Sequence, residues 1–213
     1  MPKITVPHKT MQNTKDSVMS VKLNGFVGGH SGVDITKNRS NANVVLFRSM
    51  YELLDNNIPF NMSYFKGGTT SNSISTYAET KIAINSQDFE KASELITNYF
   101  NNTIKDSDDK NAKIEITKDA NANVSCFTDE ENALLFERGS QFTQGVIKMN
   151  EKYPNIPYTS ANLGYVLIEN GTTNIWDSFR STDNNVLNDY VNAVAKIVEE
   201  SGGTKDFTAN TPA

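Results

Sequence analysis

Thr76-Tyr77-Ala78-Glu79-Thr80-Lys81-Ile82-Ala83-Ile84-Asn85 is the stretch that decides how this chain folds. Ala78, Thr80, Ile82 and Ile84 fall on one face of an extended segment, which is the two-residue period of a half-buried strand. Ser86 follows as a helix cap, and the spacing predicts a helix from Gln87 to about Thr103. Asp88 and Glu90 stand in its first turn, where they oppose the helix dipole. Phe89, Ala92, Leu95, Ile96, Tyr99 and Phe100 form its apolar stripe. Past a solvated turn over Asp106 to Asn111, Lys113 to Lys118 alternates again, with Ile114 and Ile116 inward. Toward the N-terminus, a short strand near Asn61 to Lys66 stops at Gly67-Gly68. Before it, Ser40 or Asn41 caps a helix that runs to about Asp55, with Val44, Val45, Leu46, Phe47, Met50, Tyr51 and Leu54 at helical spacing. Ser17 to about Val27 reads as a strand. The order is β-α-β-β-α-β, that of ferredoxin-like units.

The second part opens at Thr128, which caps a helix with Glu131 three residues on, a capping box. Leu134, Leu135, Phe142, Val146, Ile147 and Met149 read as its buried face and Pro154 as its end. Strands from about Ser160 to Glu169 and from Thr173 to Ser181 flank the hairpin turn Asn170-Gly171. Asp183 or Asn184 caps a last helix with Val186, Leu187, Tyr190, Val194, Ile197 and Val198 inward. Gly202-Gly203 stop it, and Lys205 to Ala213 reads as a strand leaving the domain. The fold class is therefore α/β (α+β): a two-layer sandwich, one antiparallel sheet with helices on one face, in two ferredoxin-like halves. The expected division is an N-terminal extension or remnant over residues 1–16, a first half over 17–125 and a second half over 126–213.

Composition narrows the function. A chain of 213 residues is ample for a real core. A net charge of -5 argues against a nucleic-acid-binding domain with its clustered basic face. Apolar runs such as Ala193-Val194-Ala195 are too short to span a bilayer, and the first residues hold no apolar signal segment. One cysteine, Cys126, allows no intramolecular disulfide and no cysteine-rich zinc site, and two histidines, His8 and His30, make no histidine-rich metal site.

The feature with chemical promise is Gly28-Gly29-His30-Ser31-Gly32 with Asp34. Glycines let a backbone turn sharply and approach a ligand, and a histidine there can donate to a substrate oxygen. On residues alone the segment is either a structural turn or a ligand-contacting loop. It lacks the Gly-Lys-Ser/Thr ending of a phosphate loop. Glu130-Glu131 fits the first turn of a helix, Asp108-Asp109 a polar loop, and Cys126 a small packed hydrophobe. Arg180, late in a strand beside Trp176 and Phe179, can offer a planar fork to a carboxylate.

Four motifs, in order, resemble one known family. They are Val21-Lys22-Leu23-Asn24-Gly25-Phe26-Val27-Gly28-Gly29-His30-Ser31-Gly32-Val33-Asp34-Ile35 with Asn41-Ala42-Asn43; Phe65-Lys66-Gly67-Gly68-Thr69-Thr70-Ser71-Asn72-Ser73-Ile74; Ser160-Ala161-Asn162-Leu163-Gly164; and Ser178-Phe179-Arg180-Ser181. Together they resemble the lid, or dimerisation, domain of bacterial aminoacyl-histidine dipeptidases (Xaa-His dipeptidases, peptidase D). These belong to the di-zinc family of aminoacylases and carboxypeptidases. The likeness runs from about Val18 to Pro212. It departs at Ile74-Ser75, where the family often has Ile-Pro.

The resemblance implies a doubled lid of a cytoplasmic metallopeptidase. By carry-over His30 is the catalytic contact that stabilises the oxyanion, and Asn72 and Arg180 bind the substrate's carboxylate end. Zinc is implied as the cofactor of the parent's catalytic domain, which carries the metal ligands; this chain has no His-x-Asp motif, and no metal ligands and no hydrolysis are expected of it alone. The implied partners are a dipeptide, the catalytic domain of the same parent chain and a second lid in a homodimer, with no nucleic acid and no membrane. A different reading of the same residues is an autonomous dimerisation or binding module with a lid-like fold and no catalysis.

Overall fold

The structure, a computed structural model, describes residues 3–119, 122–139 and 142–207. In chain order the strands are β1 (Lys3–Pro7), β2 (Thr10–Gln12), β3 (Ser17–Asn24), β4 (Gly29–His30), β5 (Phe60–Gly68), β6 (Ser73–Ile74), β7 (Ala78–Ile84), β8 (Lys113–Asp119), β9 (Ser125–Phe127), β10 (Gly145–Met149), β11 (Pro157–Glu169), β12 (Thr172–Ser181) and β13 (Thr204–Asp206). The helices are α1 (Ala42–Asp55), α2 (Phe89–Ile104), α3 (Asp129–Gly139) and α4 (Asn184–Glu200).

The first half is the ferredoxin-like unit that periodicity predicts. Its strands lie in the order β8-β3-β7-β5, all antiparallel. Ala78, Thr80, Ile82 and Ile84 are all buried, as the alternation of β7 demands. Ala78, Ile82 and Ile84 pack with Met19, Val21 and Leu23 of β3 and Leu46, Met50 and Leu53 of α1. Asn41 caps α1: its side chain accepts from the Asn43 N–H at 3.0 Å. Ser86 does not cap α2. Residues Ser86–Asp88 form a short 3-10 turn, the Ser86 N–H donates to Asp16 Oδ1 at 2.6 Å, and α2 begins at Phe89.

The second half repeats the same order, β13-β1-β12-β11. Its first strand comes from the other end of the chain. Residues 3–7 lie within the segment expected to be an extension, yet they form β1, which pairs with both β12 and β13. The first unit is thus inserted between the first strand and the first helix of the second. Ile4 of β1 is 2% exposed and packs on Val194 and Val198 of α4. Replacing Ile4 by Ala is expected to lower unfolding free energy by about 3 kcal/mol, the usual cost of a buried Ile-sized cavity. Urea denaturation reads this; an unchanged midpoint would show that residues 3–7 are dispensable.

His8, just past β1, clasps this N-terminal strand to the second unit. Its Nδ1 lies 2.9 Å from Glu131 Oε2, its Nε2 2.9 Å from Thr173 Oγ1, and its ring stacks on Phe127 at 4.4 Å. Thr128 caps α3 by accepting from the Glu131 N–H at 3.3 Å. The reciprocal half of the capping box is absent: the Glu131 carboxylate turns to His8, and the Thr128 N–H donates to Lys9 O.

The expected long helix to Pro154 is corrected. α3 stops at Gly139, and Val146, Ile147 and Met149 lie in β10, antiparallel to β11. Gly145 has φ +90, outside the helical region, and pairing with β11 satisfies the backbone that a helix would have used. Asn170 (φ 51) and Gly171 (φ 71) make the tight hairpin turn their sequence predicts. Asp183 caps α4 by accepting from the Asn185 N–H at 2.8 Å. The predicted strand to Ala213 is β13 as far as Asp206; Thr208 to Ala213 lie outside the described residues.

The units join edge to edge. Phe65, Lys66, Gly67 and Gly68 of β5 pair with Ile168, Leu167, Val166 and Tyr165 of β11, giving one continuous sheet. Phe47 of α1 stacks on Phe136 of α3 at 4.8 Å, so the helix layers also meet. Each neighbour along β12-β11-β5-β7-β3 is antiparallel, so β3, β5 and β12 run in the same direction. Their C-terminal ends lie at one end of the sheet.

Candidate functional site

That shared end is where the three candidate residues sit. His30 follows β3, Asn72 follows β5, and Arg180 is the penultimate residue of β12. Gly28 (φ +65) and Gly29 (φ +139) make the turn that presents His30, and a Cβ on Gly29 would come within 2.6 Å of Asp34 Oδ2. Asp34 braces the loop from within. It accepts from the His30 N–H at 2.9 Å and pairs with Lys37 (2.5 Å) and Arg39 (3.4 Å). The Lys37 hydrogen bond and the His30 N–H hold its carboxyl below the usual carboxylate range. Arg39 in turn donates to Gly28 O at 2.7 Å.

The His30 ring is exposed, and its Nδ1 accepts from the Gly32 N–H at 3.1 Å. An accepting Nδ1 leaves Nε2 as the N–H donor. β4 and β6 zip this loop to the next: Gly29 pairs with Ile74 and His30 with Ser73. The Ser31 N–H donates to Asn72 O at 2.9 Å, leaving the Asn72 side chain exposed. Arg180 reaches the same loop, with Nη2 3.4 Å from Ser31 Oγ. A Cβ on Gly32 would lie 3.1 Å from His30 Cε1 and 3.3 Å from Arg180 Cζ, so imidazole and guanidinium flank one glycine. His30 and Asn72 also line an open pocket of about 380 Å³ with Gly68, Thr69 and Tyr77; Arg180 stands outside its wall.

The loops are fixed by buried polar groups to which the sequence assigned no role at the site. Asn162 of β11, 1% exposed, donates to Ser71 O (3.0 Å) and Ser73 O (2.9 Å) and accepts from Asn41 Nδ2 (3.2 Å). Asn43 donates to Leu163 O at 3.0 Å, and Gln144 Oε1 accepts from the Leu163 N–H at 2.9 Å. The glycines make this close approach feasible: a Cβ on Gly67 would fall 1.9 Å from Asn43 Oδ1, and one on Gly68 1.8 Å from Gly164 O. Asp109, read as part of a solvated turn, is 0% exposed and accepts from the Val27 and Ser40 N–H groups at 2.8 and 2.7 Å. Asn162→Ala is expected to cost about 2 kcal/mol, since it removes two hydrogen bonds to the loop carbonyls and the one accepted from Asn41. Amide hydrogen exchange should rise first over residues 69–75; a rise spread evenly over the sheet would contradict this role.

Glu131 serves the His8 clasp, and Cys126 is buried, with burial pushing its thiol pKa up. Among the described residues, no three His, Cys, Asp or Glu side chains form a set that would hold a metal ion. The zinc implied by the resemblance therefore does not fit this chain's own described residues. No helix of the described residues is long and apolar enough to cross a membrane.

Residues 21–108 match the family described as the peptidase dimerisation domain. No curated protein matches the sequence. Among solved structures, aminoacylhistidine dipeptidase from Vibrio alginolyticus matches with a TM-score of 0.80 at 20% identity, covering 96% of this chain and 42% of that one. Aminopeptidase PepT from Bacillus cereus matches at 0.37 and 14% identity over 62% of this chain and 37% of its own. A tripeptidase from Staphylococcus aureus matches at 0.34 and 16% over 64% of this chain and 36% of its own. The first match shows the fold: nearly all of this chain has the architecture of part of that dipeptidase. The chain spans about two fifths of its length. The two lower scores carry no further weight.

Proposed function

We propose that this chain is the lid and substrate-binding domain of a zinc-dependent, cytoplasmic dipeptidase that hydrolyses Xaa-His-type dipeptides. The observation that carries the reading is convergence. His30, Asn72 and Arg180 come from loops and strands far apart in sequence, and meet at one end of the sheet around Ser31 and Gly32. In this reading His30 Nε2–H donates to the oxyanion that forms at the scissile carbonyl. Arg180 grips the terminal carboxylate through its fork, and Asn72 donates to the same end. The metal and the attacking water belong to a catalytic domain outside this chain.

A second feature supports closure on such a domain. Val27, Val33, Ile147, Met149, Tyr153 and Ile156 are exposed, and all belong to the His30 loop or to the β10–β11 hairpin. Arg180 pairs with Ser160 just above that hairpin, so the apolar residues rim the same sheet end. The gene tests the reading. An open frame on both sides, with a His-x-Asp motif upstream, is the expected result. Stop codons closing the frame at both ends would favour instead an autonomous dimerisation or binding module.

A further inference from the structure

The end of β12 that carries Arg180 is held by a cluster beneath the strand. β1 covers β12 from Thr172 to Trp176. Among the described residues, 177–181 pair with β11 alone, from Leu163↔Asp177 to Thr159↔Ser181. The register of that ladder shifts between Leu163 and Tyr165, beside Asp177. Asp177 and Phe179 face α4, and Arg180 points to the opposite side of the strand.

Tyr190 of α4 meets both downward residues. Its ring stacks on Phe179 at 3.8 Å and 5°, and its hydroxyl donates to Asp177 Oδ2. Asp177 is 1% exposed, and the Ser178 N–H donates to it as well. A buried carboxyl is an expensive way to fill space; an aliphatic side chain would pack at lower cost. What it adds is direction, because a hydrogen bond fixes one register where apolar contact tolerates several.

We propose that Asp177 and Tyr190 are positioning residues for Arg180. They hold this strand end from beneath, so that the guanidinium stands beside Gly32 and His30 with its direction set before substrate arrives. Fixing the fork lowers the ordering cost of binding and favours a free carboxylate over a neutral amide. This inference rests on the reading of Arg180 as the carboxylate-binding arm.

The test uses the 213-residue chain labelled for nuclear magnetic resonance. Tyr190→Phe keeps the ring stack and removes the hydroxyl. The Arg180 Nε–H group is expected to be ordered in the wild type and to lose order in this variant. Amide exchange of residues 178–181 should rise about fivefold, the weight of one hydrogen bond, with β3 and β7 unchanged. Measured at pH 4.5, where the folded carboxyl is neutral, Asp177→Asn keeps an acceptor for Tyr190 and should leave both readouts near wild type, whereas Asp177→Leu should behave as Tyr190→Phe. An Arg180 side chain already mobile in the wild type, or one whose order ignores Tyr190→Phe, overturns the positioning role. Either result is independent of the peptidase assay that judges Arg180 itself.

Discussion

Replacing His30 by Ala is expected to lower the turnover of a dipeptidase built with this domain by about 100-fold or more, the usual loss for one oxyanion donor. The Michaelis constant should change little, because the hydrogen bond is made to charge that develops in the transition state. The fold should be indifferent. His30 is exposed, and its ring hydrogen bond is to Gly32 N–H in its own loop. Steady-state kinetics beside a thermal melt separate the two effects. A loss below about threefold would remove His30 from the chemistry, since that is less than one hydrogen bond in a polar site contributes.

Asp177→Asn is expected to change the pH dependence of stability. Burial pushes the Asp177 carboxyl up to about 6, with the Tyr190 hydroxyl and the Ser178 N–H opposing the shift. The fold therefore prefers the neutral acid. Below about pH 4 the group is protonated in both states and costs nothing. As pH rises from about 4 to 6, the unfolded chain ionises first, and stability is lost through that window. The loss is about 3 kcal/mol by pH 7, since the two values differ by about two units. His8 works in the opposite sense. Burial lowers its pKa below 6.5, so its contribution is lost as pH falls. Comparing wild type and variant at each pH cancels that contribution. Urea unfolding at pH 4.5, 5.5 and 7 should show the Asn variant gaining on the wild type as pH rises. Parallel curves would mean that Asp177 titrates as an ordinary carboxylate.

The two halves of the fold differ in how openly the sequence declares them. In the first, each strand pairs with strands of its own unit, and the local period is enough: β3, α1, β5, β7, α2 and β8 stand within a few residues of where periodicity places them. The second unit takes its first strand from residues 3–7, whose partner Trp176 lies most of the chain away from Lys3. No local pattern carries that information. β10 misleads for a related reason. Val146, Ile147 and Met149 suit a helix stripe, but the pairing that makes them a strand lies on β11.

The site divides similarly. His30, Asn72 and Arg180 stand out through the motifs that carry the resemblance, and the register of β3, β5 and β12 explains why three distant motifs share one place. Asn162 stands in the third motif with no role assigned to it, and Asp109 and Tyr190 do not stand out. An amide, a loop acid and a helix tyrosine acquire their roles from partners tens of residues away. Their common signal is a polar group hydrogen-bonded inside the fold, which only the tertiary structure exposes.

The central claim is that this domain grips the carboxylate end of a dipeptide. The most direct measurement compares Arg180→Ala with wild type on a dipeptide and on its C-terminal amide, in the protein that joins this domain to its catalytic partner. The account predicts that the variant's Michaelis constant for the free dipeptide rises at least tenfold, by the loss of a charge-assisted pair, while that for the amide stays unchanged. Equal effects on the two substrates, or none on either, would contradict it.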